Sequence, residues 1–133
     1  MALKSYRDLL VWQKAMELVV SVYRLTTNLP PEEIFGLANQ ARRASVSIPS
    51  NIAEGYGRKG RGEYLHHLSI SSGSLAELET QIIIMTRLEF ITREQAKETW
   101  DLIQDVAKLQ NKLIASLGSK HQPPKIQTLN PEP

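Results

Sequence analysis

Three histidines, His66, His67 and His121, are the side chains of this chain best suited to proton transfer near neutral pH. His66 and His67 are neighbours, so on a helix they diverge by about 100° and cannot share a metal ion. His121 lies far along the chain. Arg61 precedes the first of them with four residues between. There is no cysteine, which removes thiolate metal sites, disulfides and a cysteine nucleophile. The run Gly55-Tyr56-Gly57-Arg58-Lys59-Gly60 matches the letters of a dinucleotide fingerprint. That fingerprint works after a strand and at the opening of a helix, whereas here it follows a helical pattern, and no Lys-Ser or Lys-Thr pair turns it into a phosphate loop. Neither catalytic residues nor a cofactor or metal is expected.

Binding chemistry is better represented. Arg58, Lys59 and Arg61 make the glycine-rich stretch the densest basic spot in the chain, and Arg42 lies on the preceding helix. Such a group could hold the phosphates of RNA or DNA, with Tyr56 available for stacking. A second constellation is a polar stripe, Gln40, Arg43, Ser47, Asn51, Glu54 and Arg58, running along one edge of the same helix beside its apolar face. Glu79 falls inside an apolar seam farther on, where a carboxylate is costly without a partner, and Arg43 is the expected one. Hydrogen bonds that fix helix register are the expected role of Gln40, Arg43, Ser47, Asn51, Glu54 and Glu79.

Four helices must position these groups. Leu9, Trp12, Met16, Val19 and Tyr23 recur at three- and four-residue steps and predict a first helix with that face inward, opened by a Ser5/Asp8 capping pair. Asn28 to Pro31 break the pattern. Leu37, Ala41, Ala44, Ile48 and Ile52 predict a second helix that runs through Pro49 to about Gly55. Tyr64, Leu68, Ser71, Leu75, Leu78, Ile82 and Met85 predict a third helix from about Glu63, with a bundle seam. Thr92 with Gln95 caps a fourth, carried by Ala96, Ile103, Val106, Leu113 and Leu117 and closed by Gly118. The expectation is an all-α, up-down-up-down four-helix bundle over residues 1–118, followed by a disordered proline-rich tail at 119–133.

These helices carry more apolar surface than one bundle core can cover. Val11, Leu18 and Val22 form a second sector on the first helix, Val46 and Pro49 sit opposite the core stripe of the second, and Ile70 with Ile84 point away from the seam of the third. Those seven residues are the expected interface of a symmetric homo-oligomer. Sixteen Lys and Arg against fourteen Asp and Glu give a net charge of +2, too little to imply a polyanionic partner except through local clustering. No apolar run approaches the roughly 18 residues of a membrane span, so a cytoplasmic protein without membrane contact is expected.

Residues 6–13 (Tyr-Arg-Asp-Leu-Leu-Val-Trp-Gln), the long motif from Gln40 through Arg43, Ser47-Ile48-Pro49-Ser50-Asn51 and Ile52-Ala53-Glu54-Gly55, and Ser72-Gly73-Ser74-Leu75-Ala76-Glu77-Leu78-Glu79 carry a family likeness. Over about residues 5 to 117 the chain resembles the four-helix-bundle proteins encoded in intervening sequences of bacterial 23S ribosomal RNA genes. The resemblance implies a homopentameric ring. Such proteins are similar to the accessory variability determinant of diversity-generating retroelements, a basic pentamer, which implies nucleic acid and a reverse-transcriptase-like protein as partners. The Arg61–His66 spacing resembles that of the HEPN ribonucleases, also all-helical. The functional expectation is a non-enzymatic oligomeric adaptor that binds RNA or DNA weakly. Its rivals are a protein-only assembly scaffold and a HEPN-like, metal-independent ribonuclease.

Overall fold

The computed structural model describes residues 3–118. The expected tail at 119–133 lies outside them. Helix α1 spans Leu10–Thr26, α2 Leu37–Tyr56, α3 Arg61–Arg87 and α4 Arg93–Ser116, with short 3-10 turns at Tyr6–Asp8 and Pro31–Glu33 and no strand among the described residues. Each helix lies beside two others, in the order α1, α2, α3, α4 and back to α1, and neither diagonal pair approaches closely. The α2–α3 interface is the most extensive and the α3–α4 interface the least.

Local chemistry sets the element ends. Ser5 and Asp8 do form a capping box, but it caps the 3-10 turn: Ser5 Oγ accepts from the Arg7 N–H at 3.1 Å and Asp8 Oδ2 from the Ser5 N–H at 3.2 Å. The Thr92/Gln95 box opens α4 as expected, with bonds of 2.9 and 3.1 Å. Gly118 follows α4 at φ 67°, the left-handed conformation that glycine adopts without a Cβ penalty. Helix α2 runs through Pro49, and α3 begins two residues earlier than its apolar spacing suggested.

The core contains the expected stripes of α2 and α3, with Ala41, Ala44, Ile48 and Ile52 facing Leu68, Leu75, Leu78, Ile82 and Met85. Helix α1 is turned by about one residue, roughly 100°, from the expected face, of which Leu9 and Trp12 still pack against the core. Its inward face is Val11, Ala15, Leu18, Val22 and Leu25, while Met16, Val20 and Tyr23 are 41%, 48% and 42% exposed. Val11, Leu18 and Val22 are therefore core residues of the single chain, and so is Pro49. Periodicity offered two apolar sectors on α1, and the longer one, expected to face inward, is the more exposed of the two. The inner sector holds the small Ala15, which permits close approach, and Ser21, whose Oγ lies 2.6 Å from Thr99 Oγ1 on α4 in a buried hydroxyl pair.

Candidate functional site

The polar stripe of α2 divides into three parts. In the middle, Ser74 Oγ donates to Ser47 Oγ at 2.9 Å, Asn51 Nδ2 donates to the Ser47 carbonyl and hydroxyl at 2.9 and 3.1 Å, and Asn51 Oδ1 lies 3.0 Å from His67 Nδ1. Because the Asn51 amide nitrogen already donates to Ser47, its oxygen faces His67, and the imidazole must carry its proton on Nδ1 to complete the chain. These four residues join α2 to α3 and fix their register. Toward the C-terminal end, Glu54 Oε1 pairs with Arg58 Nη2 at 2.7 Å in an exposed i,i+4 ion pair. At the N-terminal end, Gln40 and Arg43 are exposed and line an open depression with Asn39, Ser47, Ser74 and Glu77. They take no part in the α2–α3 chain.

Glu79 is buried, with 3% of its surface exposed. Its partner is Gln104 of α4, whose Nε2 donates to Glu79 Oε2 at 2.7 Å. Arg43 does not fill that role, because Glu79 faces α4 while Arg43 projects from α2 into solvent. Burial raises the Glu79 carboxyl above its ordinary value of 4.5, and the bond from Gln104 opposes that shift. The Tyr64 hydroxyl is likewise raised, first by burial and then by Tyr56, and its oxygen has no protein partner.

The basic residues do not form one patch. Arg42 donates from Nε to Thr26 Oγ1 at 2.9 Å and lies 4.7 Å over the Tyr23 ring, so it holds the last turn of α1. Fourteen residues of helix, about 21 Å, and two residues of loop separate it from Arg58. Arg61 Nη1 donates to the carbonyls of Leu117 and Gly118 at 3.1 and 3.3 Å, satisfying the end of α4. With Arg58 on Glu54, Lys59 is the exposed cation of this loop for which no internal partner is described. Arg61 is thereby directed toward α4, while the exposed His66 lies edge-on against His67 with ring centroids 5.7 Å apart. Within the chain, then, Arg61 and His66 each engage a different partner. No cluster of three His, Asp or Glu suited to a metal occurs among the described residues, and no helix among them is long and apolar enough to cross a membrane.

Several polar contacts were missed from sequence. Gln110 is fully buried and donates from Nε2 to Ser72 Oγ at 2.7 Å and to the Leu68 carbonyl at 3.3 Å, while its Oε1 accepts from Ser71 Oγ at 2.6 Å. Its signal was present: it lies seven residues after Ile103 and four before Ile114, on the buried stripe of α4.

Among the described residues, fold and site together define an all-α protein, four helices around one core and laced by buried polar bonds. The model of the 23S rRNA-intervening sequence proteins matches residues 7–112, and the chain belongs to that family. A comparison with curated proteins finds no match.

Proposed function

We propose that the chain is a non-enzymatic protein that works as a homo-oligomer, its helices alternating up and down and its copies closing into a ring, a pentamer as the family resemblance implies. Alternation is supported by Arg61, at the start of α3, reaching the end of α4, and by Arg42, in the second turn of α2, reaching the last turn of α1. The observation that carries assembly is the outer face of α1. Met16, Val20 and Tyr23 stand at i, i+4 and i+7, so they form one continuous apolar ridge, with the exposed Val46 on neighbouring α2. Ile70 and Ile84 are also exposed on α3, about 21 Å apart along it. Apolar residues at helical spacing on the outside of a small domain are characteristic of an interface.

Light scattering on the purified protein tests this. The expected result is one species at about five times the 15.0 kDa chain mass, and Val20→Glu should dissociate it without loss of helical signal, because Val20 contributes little to the single-chain core. A parent protein that is monomeric at micromolar concentration overturns the reading.

A nucleic-acid contact is the second reading, and the Arg58–Lys59 loop favours it, since both cations reach solvent. Arg42 and Arg61 are engaged within the chain and add little. Anisotropy of labelled single-stranded RNA should then show a shallow salt dependence, with a slope of about 0.7 for each phosphate neutralised, flattened in Arg58→Ala/Lys59→Ala. Multiplied around a ring, even two cations per copy provide avidity. No binding at low salt leaves the scaffold role.

A further inference from the structure

We propose that the proline-rich segment at residues 123–131 folds back along the chain's own groove between α3 and α4, as an extended polyproline-type helix that sets Ile126 and Leu129 against Trp100. The groove is a cavity of about 300 Å³ between the C-terminal part of α3 and the N-terminal part of α4, with Ile82, Ile83, Ala96 and Trp100 as its apolar lining. Trp100 packs on the core yet is only partly covered. An aromatic side chain with an open face in an apolar groove is the surface on which proline-rich segments dock, because such a segment is stiff before it binds and loses little entropy.

The described chain ends at the seam that leads to this groove. Gly118, at φ 67°, turns the backbone out of α4, and Arg61 at the start of α3 holds the carbonyls of Leu117 and Gly118 at 3.1 and 3.3 Å. From Gly118, Trp100 lies about 27 Å back along α4 and Ala96 about 33 Å. A polyproline-type helix rises about 3.1 Å per residue, so Ile126 reaches about 25 Å from Gly118 and Leu129 about 34 Å. The two side chains thus arrive at the heights of the groove's own apolar residues. Along the way the flank of α3 is low: Ser69 and Ala76 are exposed and lie one turn to either side of Ser72, which faces α4 through its bond from Gln110.

The chemistry of the segment matches its course. Ile126 and Leu129 are the large apolar side chains after Leu117, and at three residues apart they share one edge of a helix with three residues per turn. Pro123, Pro124 and Pro131 flank them and favour that conformation over an α-helix. The groove's rim is balanced in charge, Arg93 and Lys97 against Glu94 and Asp101, and residues 126–131 carry no charge.

Two measurements on the full chain test this. In a Trp12→Phe background Trp100 is the one tryptophan, and Ile126→Ser/Leu129→Ser should shift its emission to the red and increase its quenching by acrylamide, with helical content unchanged. The chain has no cysteine, so an introduced pair tests the location. Under mild oxidation Lys97→Cys/Gln127→Cys should close an intrachain disulfide roughly tenfold faster than Glu98→Cys/Gln127→Cys, because docking raises the effective concentration of the first pair alone. Glu98 is a control at the same height on α4, exposed but not lining the groove. Equal rates for the two pairs, or an unchanged Trp100 emission, overturn the proposal. A disulfide that links two chains at micromolar protein, in place of one closed within a chain, assigns the groove to a neighbour's segment; it overturns the proposal and leaves the assembly reading standing.

Discussion

Glu79 shows how one buried carboxyl sets a pH dependence. Its folded-state pKa lies above the ordinary 4.5 because burial disfavours the charge. Between those two values the folded chain binds more protons than the unfolded one, so stability falls as pH rises through that window and stays reduced above it. Glu79→Gln keeps an oxygen to accept from Gln104 and removes the charge. Its melting temperature should exceed the parent's at pH 7 to 8, and the two should converge below pH 4. A difference that is constant from pH 4 to pH 8 would mean that Glu79 ionises without cost. The buried Ser21–Thr99 and Gln110–Ser71 pairs carry no charge and add nothing to this dependence.

Between α2 and α3 the decisive position is Gly55. A Cβ there would lie 2.8 Å from His67 Cβ and 3.0 Å from Tyr64 Cδ1, and His67 Cβ cannot swing away because it is fixed to its own backbone. Two effects compete in Gly55→Ala. Helix propensity favours alanine by about 1 kcal/mol, whereas overpacking a closed contact costs roughly 1–3 kcal/mol. Overpacking should win, giving a net loss of about 1 kcal/mol in urea unfolding; a gain would show that α2 and α3 separate freely. This scale is also where the sequence was most and least legible. The stripes of α2, α3 and α4 could be read because in each the longest run at three- and four-residue spacing is the buried one, although α2 and α3 also carry Val46, Ile70 and Ile84 outside it. Helix α1 could not, because Val11, Leu18 and Val22 compete with Met16, Val19 and Tyr23, and only the small Ala15 and the polar Ser21, paired to Thr99, choose between them. The stripe on α2 was visible as a line, but its division was not. Asn51 needed His67 and Ser47 needed Ser74, partners some 16 and 27 residues away that spacing within one helix cannot reveal.

Across the whole molecule the four helices are not equal members of the bundle. The α2–α3 contact is broad and is pinned by Gly55, Ser47–Ser74 and Asn51–His67, whereas α3 and α4 share the least surface and leave the groove beside Trp100 between them. Local opening follows such differences. Amide hydrogen exchange should therefore report two cooperative units, with the central amides of α2 and α3 exchanging last and those of the first turns of α4, near Ala96 to Trp100, exchanging well before them. Uniform exchange across all four helices would contradict this. The thin α3–α4 seam thus acts as the breathing edge of the molecule. A ligand that fills it closes the less stable unit onto the more stable one, so occupancy there would be recorded as slowed exchange along α4 even where no atom of the backbone moves.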